Sequence, residues 1–157
     1  MSDQKPPPHA PDSGAADFGI LDDLIGYTLR RAQLHVFQDI IETLKPWDLR
    51  PAQFSTLVVI GANPGLSQAA LADLLSVERS AMVKILDVFE QRGLAERQPA
   101  PEDRRRNAVL ITAAGRSLLE QASAKAREHE ARMAGFLSSE EKASLMANLR
   151  RIYKENG

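Results

Sequence analysis

The chain has 157 residues, an ordinary globular composition and a formal net charge of −1. This length suits one domain with a buried core and is short for two. No apolar segment follows Met1 and no run is long enough to span a bilayer, so we expect a cytoplasmic protein without membrane association.

Residues 1–17 predict a disordered tail. Four of the nine prolines fall in this segment, which has no apolar periodicity. A segment of this kind buries too little apolar surface to fold by itself. An arm that packs on a partner subunit is the alternative.

Residues 18–45 predict one long helix with a wide apolar face, wider than packing on a single helix needs. This breadth favours a contact between subunits. Arg30 shares the face with Tyr27 and Phe37. A buried guanidinium needs an anion, which could be an internal carboxylate or the carboxylate or phosphate of a ligand.

A connector over residues 45–50 leads to a second helix. Pro51 suits the first turn of that helix, which ends near Gly61. Its apolar residues are Phe54, Leu57, Val58 and Ile60.

Two shorter helices follow, and together they predict a helix-turn-helix. Ser67 can cap a helix over residues 67–75, and a second helix covers residues 79–91 until Gly93 ends it in a left-handed conformation. The second helix has an apolar inner face: Met82, Ile85, Leu86 and Phe89.

The outer surface of this motif is small, polar and basic, as the DNA major groove requires. Between residues 79 and 106, seven basic side chains stand against five acidic ones, so the positive charge is local in a chain that is acidic elsewhere. The candidate DNA contacts on the two helices are Ser67, Gln68, Arg79, Ser80, Ala81, Val83 and Lys84.

Two strand-like runs, residues 94–98 and 108–112, flank a proline-stiffened loop and predict a hairpin wing. Three arginines lie near its tip: Arg104, Arg105 and Arg106. They repel one another unless a polyanion neutralises them, and a narrow minor groove attracts such side chains. Alone they could equally form a solvated turn with Glu102 and Asp103, but the preceding helix-turn-helix favours DNA.

Two segments resemble the DNA-binding core of the multiple antibiotic resistance regulator (MarR) family: LSQAALADLLSVERSAMVKILDVFEQRGL and PEDRRRNAVLITAAGRSLL. The resemblance extends over about residues 21–153. It implies a mainly α fold with a small β wing (α+β), in a single domain over residues 18–157. Residues 50–113 would form the winged helix-turn-helix lobe, and residues 18–45 and 114–155 the dimerisation helices.

The resemblance implies a dimeric, ligand-responsive transcription factor without a cofactor, most often a repressor bound to a palindromic operator. In that family the Asp matching Asp103 pairs with the Arg matching Arg105 and orients it into the minor groove. Two positions depart from the family pattern. Glu78 replaces the usual Asp at the start of the recognition helix and is a poorer cap, whereas Ile111-Thr112 replaces Leu-Thr with the same chemistry.

The resemblance also implies a ligand cavity bordered by the first two long helices. Its candidate residues are Tyr27, Arg30, Phe37, Trp47 and Phe54. A flat aromatic carboxylate or its acyl thioester, such as an aryl-CoA, would suit them. Core packing is favoured for Phe54, whereas the loop position of Trp47 favours a ligand or an interface.

A third long helix runs from residue 113 to about residue 134 and has only a thin apolar seam. Ser138 and Glu141 then predict a capping box that starts the last helix. The apolar residues of that helix should face inward: Leu145, Met146, Leu149, Ile152 and Tyr153. Apolar helices at both ends of the chain fit a two-fold dimer, which would hold two recognition helices about one DNA turn apart.

Other classes of function fit less well. An enzyme is poorly supported, because there is no cysteine, the three histidines are scattered, and no nucleophile elbow or phosphate loop is present. The absence of cysteine also excludes thiol-based peroxide sensing. A metal-responsive regulator is suggested only by His129 between Glu128 and Glu130, and neighbouring helical residues do not share a face. A winged helix that only docks proteins stays open, although the wing arginines count against it.

Overall fold

The computed structural model describes residues 17–99 and 107–154, and within them the chain is mainly helical with one small antiparallel sheet. The elements in chain order are α1 (Ile25–Leu44), α2 (Pro51–Ala62), α3 (Gln68–Leu74), α4 (Arg79–Gln91), β1 (Ala95–Pro99), β2 (Asn107–Ile111), α5 (Ala113–Ala134) and α6 (Ser139–Lys154). The predicted fold class is confirmed. None of the described helices is long and apolar enough to cross a membrane.

The two helices of the helix-turn-helix form as predicted. Ser67 precedes α3, and its Oγ accepts a hydrogen bond of 3.2 Å from the amide of Ala70. Helix α4 has the predicted bounds, and Gly93 ends it at φ +65°. Glu78 makes no side-chain capping bond, as expected of a poorer cap.

The wing strands lie within one residue of their predicted bounds. The amide of Leu94 bonds to the carbonyl of Phe89 at 2.8 Å and so completes the end of α4. Thr112 ends the second strand because its Oγ1 accepts from the amide of Gly115, at the start of α5. The ladder pairs Ala95 with Ile111 at one end.

A single core holds α2, α3, α4, the wing strands and α5 together. Its fully buried large side chains are Leu44, Leu57, Ile60, Leu71, Met82, Leu86, Phe89 and Val109. Gly115 permits the close approach of α5, because a Cβ there would lie 1.9 Å from the carbonyl oxygen of Leu94. This core fixes the helix-turn-helix on the rest of its lobe.

The chain divides into two compact units, residues 1–35 and 36–157. In the first, the predicted uninterrupted helix from residue 18 is wrong. A short 3-10 helix over Gly19–Asp23 ends at Leu24, which is extended (φ −95°, ψ 114°) before α1 begins. Gly19 has φ +55° and donates to the side chain of Asp17 at 2.7 Å, so this turn is incompatible with a continuous helix.

The far end of α1 agrees with the prediction within one residue. Helix α1 ends at Leu44, and a 3-10 turn over Lys45–Trp47 follows. Asp48 then takes a left-handed conformation (φ 48°, ψ 47°), which redirects the chain into α2. Pro51 occupies the first turn of α2, as predicted.

Helix α6 corrects a second expectation. The capping box forms, since the amide of Ser138 donates to Glu141 at 2.8 Å and the amide of Glu141 donates back at 3.3 Å. However, α6 buries no residue within this chain, so the predicted inward face is wrong. Leu145 is 47% exposed and Tyr153 is 64% exposed. No surface of the described chain covers them.

Candidate nucleic-acid interface

Packing of the inner face of α4 against the core determines which of its residues face outward. Met82, Leu86 and Phe89 are at most 1% exposed, so the rotation of the helix about its axis is fixed. Ser80 and Lys84 are exposed on the opposite side, Arg79 is exposed in the first turn of the helix, and Ala81 and Val83 are half-buried.

Among the residues that the structure describes, Arg79 has one weak ionic partner. Its Nη2 lies 3.7 Å from Oδ1 of Asp73, and both side chains are about two-thirds or more exposed. An exposed pair of this kind contributes little to stability. The guanidinium of Arg79 can therefore leave this carboxylate and bind a phosphate with little loss of folding stability.

Ser67 and Gln68 are half-buried at the start of α3. The hydroxyl of Ser67 is used as the helix cap. Gln68 accepts a hydrogen bond of 3.2 Å from Nη2 of Arg97, which links the first helix of the motif to the wing. Both residues were predicted as DNA contacts, and that role stays a prediction.

Arg97, on β1, was not predicted to have a role. Its side chain is only 16% exposed and pairs with two carboxylates of α4, at 2.9 Å from Asp87 and in a closer contact with Glu90. The amide of Arg97 also donates to Glu90 at 3.0 Å. A basic residue in a wing strand, preceded by two acids one helical turn apart, is a signal that sequence reasoning could have used.

The tip of the wing lies outside the described residues. It includes the predicted DNA contacts Arg104, Arg105 and Arg106 and the orienting Asp103. The last ladder pair of the hairpin, Pro99 with Asn107, borders this segment. The roles of these four residues stay predictions.

Arg92, the residue that follows α4, has partners far along the chain. The sequence suggests only a favourable charge at the end of the helix dipole. In the structure its Nη1 donates to the carbonyl of Asp48 at 2.9 Å and its Nη2 to the carbonyl of Trp47 at 2.7 Å. The connector between α1 and α2 is thereby attached to the end of α4.

A cleft of about 490 Å³ borders the same connector. Its lining combines apolar and charged side chains: Phe37, Ile41, Glu42, Lys45, Asp48, Leu49, Arg50, Pro51 and Ala52. Among the predicted ligand contacts only Phe37 lines it. Trp47 and Phe54 are half-buried against the core instead, and the indole Nε1 of Trp47 donates to Gln121 at 3.5 Å.

The other two predicted ligand contacts belong to the first unit. Tyr27 is half-buried, and its ring centroid lies 6.0 Å from that of Phe18. Arg30 is exposed, so the expectation of a buried guanidinium is wrong for the single chain. The physical reason is that the short helix and the break at Leu24 leave this part of α1 uncovered within residues 17–35.

His129, the basis of the metal alternative, is buried on α5 and lies 2.5 Å from Oδ2 of Asp39 on α1. Arg132 also donates to that oxygen, at 3.0 Å. The hydrogen bonds from His129 and then Arg132 hold the pKa of Asp39 below its usual range. Glu128 and Glu130 pair with lysines, and no metal-binding group of three is present among the described side chains.

A helix-turn-helix followed by an antiparallel hairpin defines the winged helix-turn-helix class. A model of the MarR family matches residues 47–106. The chain is 33% identical over 133 residues to the putative transcriptional regulatory protein for the hcr operon of Thauera aromatica, covering 84% of this chain and 80% of that protein.

Two solved structures extend the similarity through most of the chain. The transcriptional repressor CouR bound to a 23-mer DNA duplex matches with a TM-score of 0.84 and 38% identity, covering 89% of this chain and 99% of that one. CouR bound to p-coumaroyl-CoA matches with a TM-score of 0.80 and 37% identity, covering 90% and 99%. The chain belongs to the MarR family and is a DNA-binding transcriptional regulator rather than an enzyme.

Proposed function

We propose that this protein is a homodimeric repressor that binds a palindromic operator and is released from it by a small aromatic carboxylate or its acyl thioester. The observation that carries the proposal is the outer face of α4, where Arg79, Ser80 and Lys84 are exposed in front of a fully buried apolar face. A helix supported in this way can enter the major groove without losing its own packing.

The second part of the binding surface is the wing. Arg105, with Asp103 as its orienting partner, would enter the minor groove beside the site of α4, while Arg104 and Arg106 contact the backbone. The structure of CouR bound to a DNA duplex supports DNA binding by this fold, because the similarity extends over nearly the full length of that chain.

The dimer rests on the exposed apolar faces at the two ends of the chain. On α6, Leu145, Met146 and Tyr153 are between 42% and 64% exposed. In residues 17–35, Ile20 and Ile25 are about 70% exposed. Large apolar side chains exposed in this way mark an interface with another protein, and a second copy would also supply the second recognition helix.

The effector site is proposed at the cleft beside the connector. Phe37 and Ile41 offer apolar contact, and Arg50 offers positive charge for an anionic end of the ligand, while Lys45 is paired with Glu42 at 3.2 Å. The structure of CouR with p-coumaroyl-CoA supports this ligand class. A ligand that binds better to the DNA-free arrangement lowers operator affinity by that difference in binding free energy and no more.

Fluorescence anisotropy with a labelled fragment from upstream of the gene, against a scrambled duplex of equal length, tests DNA binding. Lys84→Ala and Arg105→Ala should each weaken specific binding by about 1–3 kcal/mol, whereas Arg127→Ala, on the exposed side of α5, should not. Equal binding to both duplexes, or no effect of either variant, would contradict the proposed operator contacts.

The effector is tested on the same complex. We expect p-coumaroyl-CoA to release the fragment, while free CoA should not. Phe37→Ala should reduce the response without changing DNA affinity, and Arg30→Ala tests the more exposed candidate in the same way. If neither p-coumaroyl-CoA nor p-coumarate releases the DNA, the effector class is wrong while DNA binding stands.

A further inference from the structure

Arg97 collects its partners from both helices of the helix-turn-helix. From α4 it contacts Asp87, Glu90 and the carbonyl of Val83, the last at 3.4 Å. From α3 it contacts Gln68 through Nη2 at 3.2 Å. Because its charge is already matched by two carboxylates and its side chain is nearly enclosed, little of that charge is available to a phosphate.

The contact with Arg97 determines which end of the Gln68 amide faces outward. A guanidinium has five donors and no acceptor, so Gln68 must offer its oxygen to Arg97. Its Nε2, with two N–H donors, then points away from Arg97. No buried side-chain nitrogen or oxygen of the described chain lacks a partner, and Gln68 is only half-buried, so Nε2 is open to solvent.

We propose that Arg97 is a positioning residue that turns the Gln68 amide so that its N–H groups, and not its oxygen, face the DNA backbone. The inference rests on the proposed DNA-binding function. Phosphate oxygens only accept hydrogen bonds, so an amide with its oxygen outward would repel them. In helix-turn-helix proteins the first helix of the motif crosses the DNA backbone, and α3 is the first helix of the motif in this chain.

The sharpest test is an isosteric change of one atom. Gln68→Glu keeps an oxygen for Arg97, but it replaces the outward N–H groups by a second carboxylate oxygen and adds one negative charge, for which the control below corrects. We expect the operator affinity to fall about tenfold or more. The matched control is Gln121→Glu, an exposed residue of α5 that also keeps an oxygen for its partner, the indole Nε1 of Trp47. It should change affinity by less than about threefold.

A double-mutant cycle then tests whether Gln68 acts through Arg97. Gln68→Ala should weaken operator binding by about fivefold and Arg97→Met by about tenfold. In the double variant the loss should stay near about tenfold, because without Arg97 the amide is no longer oriented. Losses that multiply to about fiftyfold would mean that the two side chains act independently, and the proposal would be wrong.

The outcomes also separate this inference from the function on which it rests. If the wild-type protein binds no duplex, the proposed function fails and the inference fails with it. If the wild type binds and Gln68→Glu binds equally well, only the inference fails. Should Arg97→Met not fold, as judged by circular dichroism, the Gln68→Glu comparison still tests whether the N–H groups of Gln68 face the DNA, and equal binding there still overturns the inference.

Discussion

Helices α4 and α6 are both amphipathic, yet the chain treats their apolar faces in opposite ways. On α4, Met82 and Phe89 are fully buried in the core. On α6, Leu145 and Met146 are 47% and 42% exposed. Helical periodicity therefore defines a face, while the tertiary structure decides whether that face is covered within the chain or is left for another molecule.

The largest expected difference is in stability. Phe89→Ala should lower the free energy of unfolding by about 3–5 kcal/mol, because it removes a fully buried aromatic ring. Chemical denaturation should give this loss at every protein concentration. Leu145→Ala should instead have an effect that varies with concentration, as expected of an interface between copies. An equal, concentration-independent loss for both variants would contradict the comparison.

Self-association tests the exposed face of α6 directly. Leu145→Glu introduces a charge into that face and should weaken dimerisation about tenfold or more in analytical ultracentrifugation. Ala147→Glu, about half a helical turn away, is the control and should leave the dimer intact. A dimer that tolerates both changes would show that α6 has no role in association.

Polar contacts inside the DNA-binding lobe should contribute less than its apolar burial. The Oγ1 of Thr112 accepts from Gly115 at 3.0 Å and donates to the carbonyl of Gly93 at 2.6 Å, so it connects α5 to the end of α4. Thr112→Val should therefore lower the free energy of unfolding by about 1–2 kcal/mol. Thr112→Ser keeps the hydroxyl and should recover most of the loss in the same measurement.

The smallest effect concerns acid stability. In the folded chain, hydrogen bonds from His129 and Arg132 lower the pKa of Asp39 below its ordinary value of 3.8. Because the folded pKa is the lower one, this stabilisation is present above 3.8 and is lost as the pH falls through the folded pKa. Asp39→Asn should flatten the acid limb of the stability curve in denaturation series below about pH 5. An unchanged limb would contradict the assignment.

Much of the DNA-binding lobe is predictable because its signals are local. Ser67 as a cap, Gly93 as a left-handed stop and the spacing from Met82 to Phe89 act within one or two helical turns. The bounds of α4 follow from them. The break at Leu24 was missed because the helical pattern continues through it, while the turn depends on the conformation of Gly19.

The candidate site was harder to predict where contacts join distant residues. The exposed side of α4 follows from periodicity, and so does the choice of Arg79 and Lys84. The partners of Arg97 depend on how β1 lies against α4, which no local pattern describes. The exposure of Arg30 was equally hard to predict, because it depends on which segments pack against α1 and not on the residues next to Arg30 in the sequence.

Arg92 connects the end of α4 to the segment between α1 and α2. Its two hydrogen bonds, 2.9 and 2.7 Å long, are the described contacts between its guanidinium and the segment that borders the cleft. A shift of Asp48 by about one ångström away from α4 would stretch its bond beyond hydrogen-bond length, or would pull the end of α4 with it. The shape of the cleft and the position of the DNA-facing helix are therefore not independent variables.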